Sequence, residues 1–130
     1  MPAPVQKTIS PVDGSVYVER PLASAGEIDE KLRTARHAFA GWRATSLAER
    51  AAVLTRFCEE FEKRGRLVAE ELTWQMGRPK RYAPNEVRGT LERARHMIAI
   101  APQALADVDA GPKEHFRRFV RREPLGVVFT

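Results

Sequence analysis

The feature that most constrains this chain is its final segment, Pro124-Leu125-Gly126-Val127-Val128-Phe129-Thr130. A continuous apolar run rich in β-branched residues, entered after a proline, reads as a strand covered on both faces. Strands of that kind belong in parallel sheets, whose neighbours are reached only through crossovers of a dozen or more residues. Nothing follows Thr130 to make such a crossover. The expectation is that the strand pairs with another chain, or that the sequence breaks off as its main sheet begins. The second is preferred.

A chain of 130 residues suits one small domain, able to bury about two-thirds of its unfolded surface. With 30% charged and 43% apolar residues, wholesale disorder is excluded. The net charge of +5 is unevenly spread. Lys113, Arg117, Arg118, Arg121 and Arg122, against Glu114, form a basic block over 113–122. Such a block suits phosphate contacts; it equally suits a solvated edge strand, where basic residues discourage edge-to-edge aggregation, and this reading is preferred. A single cysteine excludes an internal disulfide and fits a reducing compartment. Residues 1–7 lack the apolar core of a secretion signal, and no stretch approaches the roughly twenty apolar residues of a bilayer crossing. The expected location is the cytoplasm.

Along the chain, Ser10-Pro11-Val12-Asp13-Gly14-Ser15 predicts a turn, and Val16-Tyr17-Val18 a short strand. Ser24 with Glu27, and Ser46 with Glu49, are capping-box pairs that open two helices. The first carries Ile28, Leu32, Ala35 and Phe39 on one face, with Gly41 as its end. The second carries Leu47, Ala51, Leu54, Cys58 and Phe61, and Gly65 interrupts or bends the run. A third helix with Leu67, Leu72 and Trp74 stops at Gly77 and Pro79. A fourth starts near Pro84, carries Val87, Leu91, Ala94, Ile98 and Ala101, and is ended or kinked by Pro102. Asp107 to Pro112 reads as loop, and a basic strand over roughly 115–122 leads into the terminal run.

Residues able to carry chemistry are few. The glycines match neither a dinucleotide fingerprint nor a P-loop. His37, His96 and His115 are scattered, without cysteine or carboxylate partners at ligand spacing. Cys58 lies mid-helix on an apolar face and precedes Glu59 and Glu60, so it reads as core rather than nucleophile. Trp42 and Trp74 read as packing anchors. Glu70 and Glu71 are adjacent, hence about 100° apart on a helix, and do not form an acid–base pair. No catalytic, cofactor-binding or metal residue is assigned.

Several stretches together resemble the N-terminal part of the NAD(P)-dependent aldehyde dehydrogenase superfamily. These are the turn at 10–14, Ala35-Arg36-His37-Ala38-Phe39-Ala40-Gly41-Trp42, and Glu49-Arg50 followed by Leu54. They continue with Glu70, Leu72 and Thr73, then Met76-Gly77-Arg78-Pro79, where the family usually reads Gly-Lys-Pro. Glu86-Val87 and Arg121-Arg122-Glu123-Pro124-Leu125-Gly126-Val127-Val128 complete the series. Order and spacing cover nearly the whole chain.

The resemblance implies an α/β fold: the helical portion and first strands of an incomplete Rossmann-type domain. It divides the chain into an arm and short strand (1–23), a helical layer (24–106), an oligomerisation-type strand (113–122) and a first buried sheet strand (124–130). It further implies an oxidoreductase that takes an aldehyde to a carboxylic acid with NAD or NADP. In that family a cysteine thiolate attacks the aldehyde, hydride passes to the nicotinamide, and a glutamate-activated water releases the acid. The oxyanion-stabilising Asn, the cofactor glycines, the general-base Glu and the nucleophilic Cys all lie beyond the matching stretches, and Cys58 does not align with that nucleophile. The expectation is therefore an inactive scaffold that binds no cofactor alone, from a homo-oligomeric enzyme with a small aldehyde substrate. The alternatives are a stand-alone basic binding module, or a truncated subunit that joins a full-length enzyme through the 115–122 strand.

Overall fold

The computed structural model describes residues 4–128. Two antiparallel hairpins flank four helices: β1 (Val5–Ile9), β2 (Val16–Pro21), α1 (Ala25–Ala44), α2 (Leu47–Lys63), α3 (Gly65–Met76), α4 (Ala83–Ala104), β3 (Val108–Asp109) and β4 (Phe119–Val120). β1 pairs with β2, setting Lys7 opposite Glu19 and Thr8 opposite Val18, with an irregularity between Thr8 and Ile9. The sequence reading anticipated part of β2 and missed β1, although Val5, Lys7 and Ile9 alternate with Gln6 and Thr8. The turn between them forms where Ser10–Ser15 predicted it. Asp13 accepts from the Ser15 amide and hydroxyl, and Gly14 takes a positive φ of 74°.

Both capping boxes are complete. The Ser24 and Ser46 hydroxyls accept from the Glu27 and Glu49 amides, and each glutamate reaches back to the serine amide. Each box satisfies donors that the first helical turn leaves open. Gly41 does not end α1, which continues to Ala44. A terminating glycine needs the left-handed conformation, which Gly41 does not adopt. Thr45 closes the helix instead, its amide and hydroxyl both donating to the Trp42 carbonyl. Gly65 stands at the break between α2 and α3, and a Cβ there would lie 3.2 Å from Val87 Cγ1, so the glycine lets α3 approach α4. Gly77, at φ 70°, terminates α3 as expected. Pro102 falls in the last turn of α4, two residues before its end.

The core lies between α2, α3 and α4. Cys58, Ala69, Ala83, Val87 and Leu91 are buried, with Phe61, Val68, Leu72, Ala94 and Ile98 packed against them. Of the expected α2 stripe, Leu54 is exposed, while Leu47, Ala51 and Phe61 are half-buried and Cys58 is buried; Phe57, outside that stripe, is exposed and stacks on Phe61. α1 buries no side chain.

The C-terminal strands differ from expectation. Of the strand predicted over 115–122, Phe119–Val120 forms a two-residue strand whose partner, Val108–Asp109, lies in the stretch read as loop, and Phe116 makes an isolated bridge to Lys113. The Arg118 guanidinium donates to the carbonyls of Ala110, Gly111 and Pro112, occupying acceptors that a longer ladder would need. His115, at φ 62°, breaks the extended run. Residues 124–128 form no strand, and Leu125 is 95% exposed, because no neighbouring strand lies alongside to complete a ladder. The rest of the predicted terminal strand, 129–130, lies outside the described residues.

Candidate functional site

An open groove of about 1330 Å³ lies beside α3 and α4. Ala69, Thr73 and Trp74 of α3 and Val87 and Leu91 of α4 line it, with Val12 of the turn at one side. Its charged lining carries Glu62, Glu70 and Glu92 together with Arg66, Lys80, Arg88 and Arg95. Arg95 reaches Glu62 at 2.5 Å and ties α4 to α2. The groove holds no cysteine, histidine or tyrosine. It joins apolar walls to charges of both signs.

The turn beside it is anchored by specific contacts. Ser10 is wholly buried, and its hydroxyl donates to the Trp74 carbonyl at 2.8 Å while accepting from the Val12 amide. Tyr17 stacks on Trp74 with ring centroids 6.1 Å apart, and its hydroxyl donates to Glu71 Oε1 at 2.9 Å. That hydrogen bond to a carboxylate raises the Tyr17 pKa. Gln75 donates to the other oxygen of Glu71. Glu71 therefore serves the hairpin while Glu70 lines the groove, so the neighbouring carboxylates work on different sides of α3. Trp74 is an anchor of this junction; Trp42 is exposed. The Tyr17–Glu71 contact joins residues far apart in sequence and has no local signal.

Arg78 occupies the junction between α3 and α4. It pairs with Glu86 at 2.6 Å and lies over the Tyr82 ring. Cys58, 2% exposed, sits in the core and is not among the residues that line the groove. His37, His96 and His115 are exposed on separate elements. Among the described residues, no group of three or more His, Cys, Asp or Glu is placed to hold a metal ion.

Much of the basic block is committed within its own hairpin. Arg121 holds Asp107 through two bonds, at 3.2 and 2.9 Å, and keeps that carboxyl below its usual range. Arg122 donates to the Ala106 carbonyl. Arg117 and Arg121 both lie over the Phe119 ring, and Lys113 lies over Phe116. The alternation of basic and aromatic residues, Phe116-Arg117-Arg118-Phe119, is the sequence trace of this arrangement.

The match to the aldehyde dehydrogenase family model runs over residues 3–130. A probable aldehyde dehydrogenase of Mycobacterium tuberculosis is 34% identical over 124 residues, covering 92% of this chain and 24% of the relative. An N-succinylglutamate 5-semialdehyde dehydrogenase of Ectopseudomonas mendocina is 32% identical over 129 residues, covering 97% of this chain and 26% of the relative. Among solved structures, a putative aldehyde dehydrogenase from Burkholderia cenocepacia superposes with a TM-score of 0.84 at 26% identity, over 94% of this chain and 25% of that one. The chain thus belongs to the aldehyde dehydrogenase family, with an α/β fold, and spans about a quarter of the length of these relatives.

No helix among the described residues is long and apolar enough to cross a membrane. The described residues do not fit the nicotinamide cofactor of such enzymes. They contain no glycine-rich strand-to-helix turn to cradle a pyrophosphate.

Proposed function

We propose that this chain is the N-terminal scaffold of an oxidoreductase that converts a small aldehyde to a carboxylic acid with NAD or NADP. By itself it is inactive and binds no cofactor. The observation that carries this reading is the family match over residues 3–130, beside a groove whose described lining includes no cysteine. A covalent mechanism needs an activated nucleophile and oxyanion donors assembled together; Cys58, sealed in the core, serves neither role.

The chain's own contribution is architectural. Residues 1–23 are the arm, 24–106 the helical layer that covers the cofactor domain, 113–122 the strand through which subunits associate, and 124–130 the entry into the main sheet. The exposed Leu54, Phe57 and Leu125 are apolar surface that such neighbours would cover. A homo-oligomer in the cytoplasm completes the proposal.

The test is a chimera in which residues 3–130 replace the matching segment of the Mycobacterium tuberculosis relative. The expected result is aldehyde-dependent reduction of NAD or NADP. A chimera that folds to the parent's oligomeric mass and melts cooperatively, yet has no activity, argues against the scaffold role.

A further inference from the structure

We propose that Asp13-Gly14 is a latent isomerisation site, silent while the Ser10–Ser15 turn stays docked on α3 and converted to isoaspartate once that turn comes loose. It is the chain's one Asp-Gly or Asn-Gly step: Asp29, Asp107, Asp109 and Asn85 precede Glu30, Val108, Ala110 and Glu86. A following glycine matters because the reaction runs through its amide nitrogen, where a side chain would crowd the approach. Asp13 and Gly14 are both exposed, and a Cβ at Gly14 would meet nothing within 4 Å, so water reaches the site.

Water is the only co-reactant. The Gly14 nitrogen gives up its proton and attacks Cγ of the protonated Asp13 carboxyl, expelling water and closing a cyclic imide. A second water then opens the ring. Addition at Cγ restores aspartate; addition at the main-chain carbonyl leaves Gly14 linked through Cγ, beside a free α-carboxylate. In the folded chain both reactants are engaged elsewhere. The Gly14 amide donates to the Ser10 carbonyl at 2.9 Å. Asp13 Oδ1 accepts from the Ser15 amide at 3.0 Å and from its hydroxyl at 2.7 Å, which lowers the carboxyl pKa and disfavours the protonated form that reacts. The Ser10 amide closes the loop on the Ser15 carbonyl at 2.8 Å, and the buried Ser10 hydroxyl ties the loop to the Trp74 carbonyl. Protection therefore lasts only as long as these bonds, which a local opening breaks without unfolding the core. The product does not fit the same turn, because an extra main-chain carbon lengthens the path from Ser10 to Ser15 and the Asp13 side chain has become backbone.

The test is to incubate the full 130-residue chain in mildly acidic buffer, with and without urea, and to measure isoaspartate at residue 13 by peptide mapping with electron-transfer fragmentation. The folded chain should accumulate it about tenfold more slowly than the unfolded one, the effect of a hydrogen bond to a charged acceptor. Ser10→Ala cuts the tie to Trp74 without altering Asp13 or Gly14, and should raise the folded-to-unfolded ratio of rates several-fold. Ser15→Ala, at an exposed residue, removes the hydroxyl donor alone and should raise that ratio about threefold. Equal rates with and without urea in the parent chain would overturn the proposal. So would a folded Ser10→Ala chain that keeps the parent's ratio, or a Ser15→Ala ratio that matches the parent's, whatever the fate of Ser10→Ala.

Discussion

Replacing Gly77 by alanine tests the junction between the N-terminal turn and α3, because two separate costs meet at one atom. Gly77 ends α3 at φ 70°, where its amide bonds back into the last turn. A Cβ in that left-handed conformation costs roughly 1–2 kcal/mol. The same Cβ would stand 3.0 Å from Pro11 Cγ and 3.5 Å from Pro11 Cβ. Relieving the nearer contact requires the turn to shift, and overpacking of this kind costs about 1–3 kcal/mol, with an exposed turn at the low end. The expected loss is therefore about 2–3 kcal/mol. That is a large share of the roughly 0.05–0.15 kcal/mol per residue that stabilises a domain.

The assay is urea unfolding followed by far-UV circular dichroism, with the midpoint checked for independence of protein concentration. Pro11→Ala removes Cγ, so Gly77→Ala in that background should cost only the backbone part, about 1–2 kcal/mol. A double-mutant cycle should then return a coupling of about 1 kcal/mol, within the range for residues in contact. A single-mutant loss of a few tenths, or no coupling, would refute the packing of the turn on the end of α3.

Leu91, 5% exposed in the α2–α3–α4 core, should cost about 2–5 kcal/mol when truncated to alanine, read as a lower urea midpoint. Glu27 and Glu49 have lowered pKa values, Glu27 chiefly through the Ser24 amide and Glu49 chiefly through the Ser46 hydroxyl. Folded values below the unfolded ones mean that this stabilisation is present above the ordinary glutamate range and is lost as pH falls through the folded values. Glu49→Gln should flatten the acid limb of a stability-versus-pH profile, and an unchanged limb would contradict the capping account. Phe57 is 54% exposed beside Phe61. Phe57→Lys should reduce self-association in sedimentation velocity with little change in helicity, whereas unchanged association would show that this face is not the sticky one.

The helical layer was legible because its signals are local. Capping boxes at Ser24 and Ser46, the stop at Gly77 and the stripe Val87, Leu91, Ala94 and Ile98 each need only a few neighbouring residues. What was not legible depends on distant partners. Ser10 is buried because α3 presents the Trp74 carbonyl to it. Leu54 looks like core on a helical wheel, yet the described residues leave it 49% exposed. The terminal run has the composition of a buried strand, but composition does not supply a neighbour to pair with. At the basic block, charge alone left phosphate binding and an edge strand both open. The bonds from Arg118 to three carbonyls and from Arg121 to Asp107 show where much of that charge is used.

The most direct test of the central claim is an activity assay on the purified 130-residue chain, with a panel of aliphatic and aromatic aldehydes and either NAD or NADP. The account predicts no aldehyde-dependent gain in reduced-nicotinamide absorbance above the protein-free control. Turnover that scales with chain concentration and is abolished by Cys58→Ser would contradict it, because it would place the nucleophile inside the segment read here as scaffold.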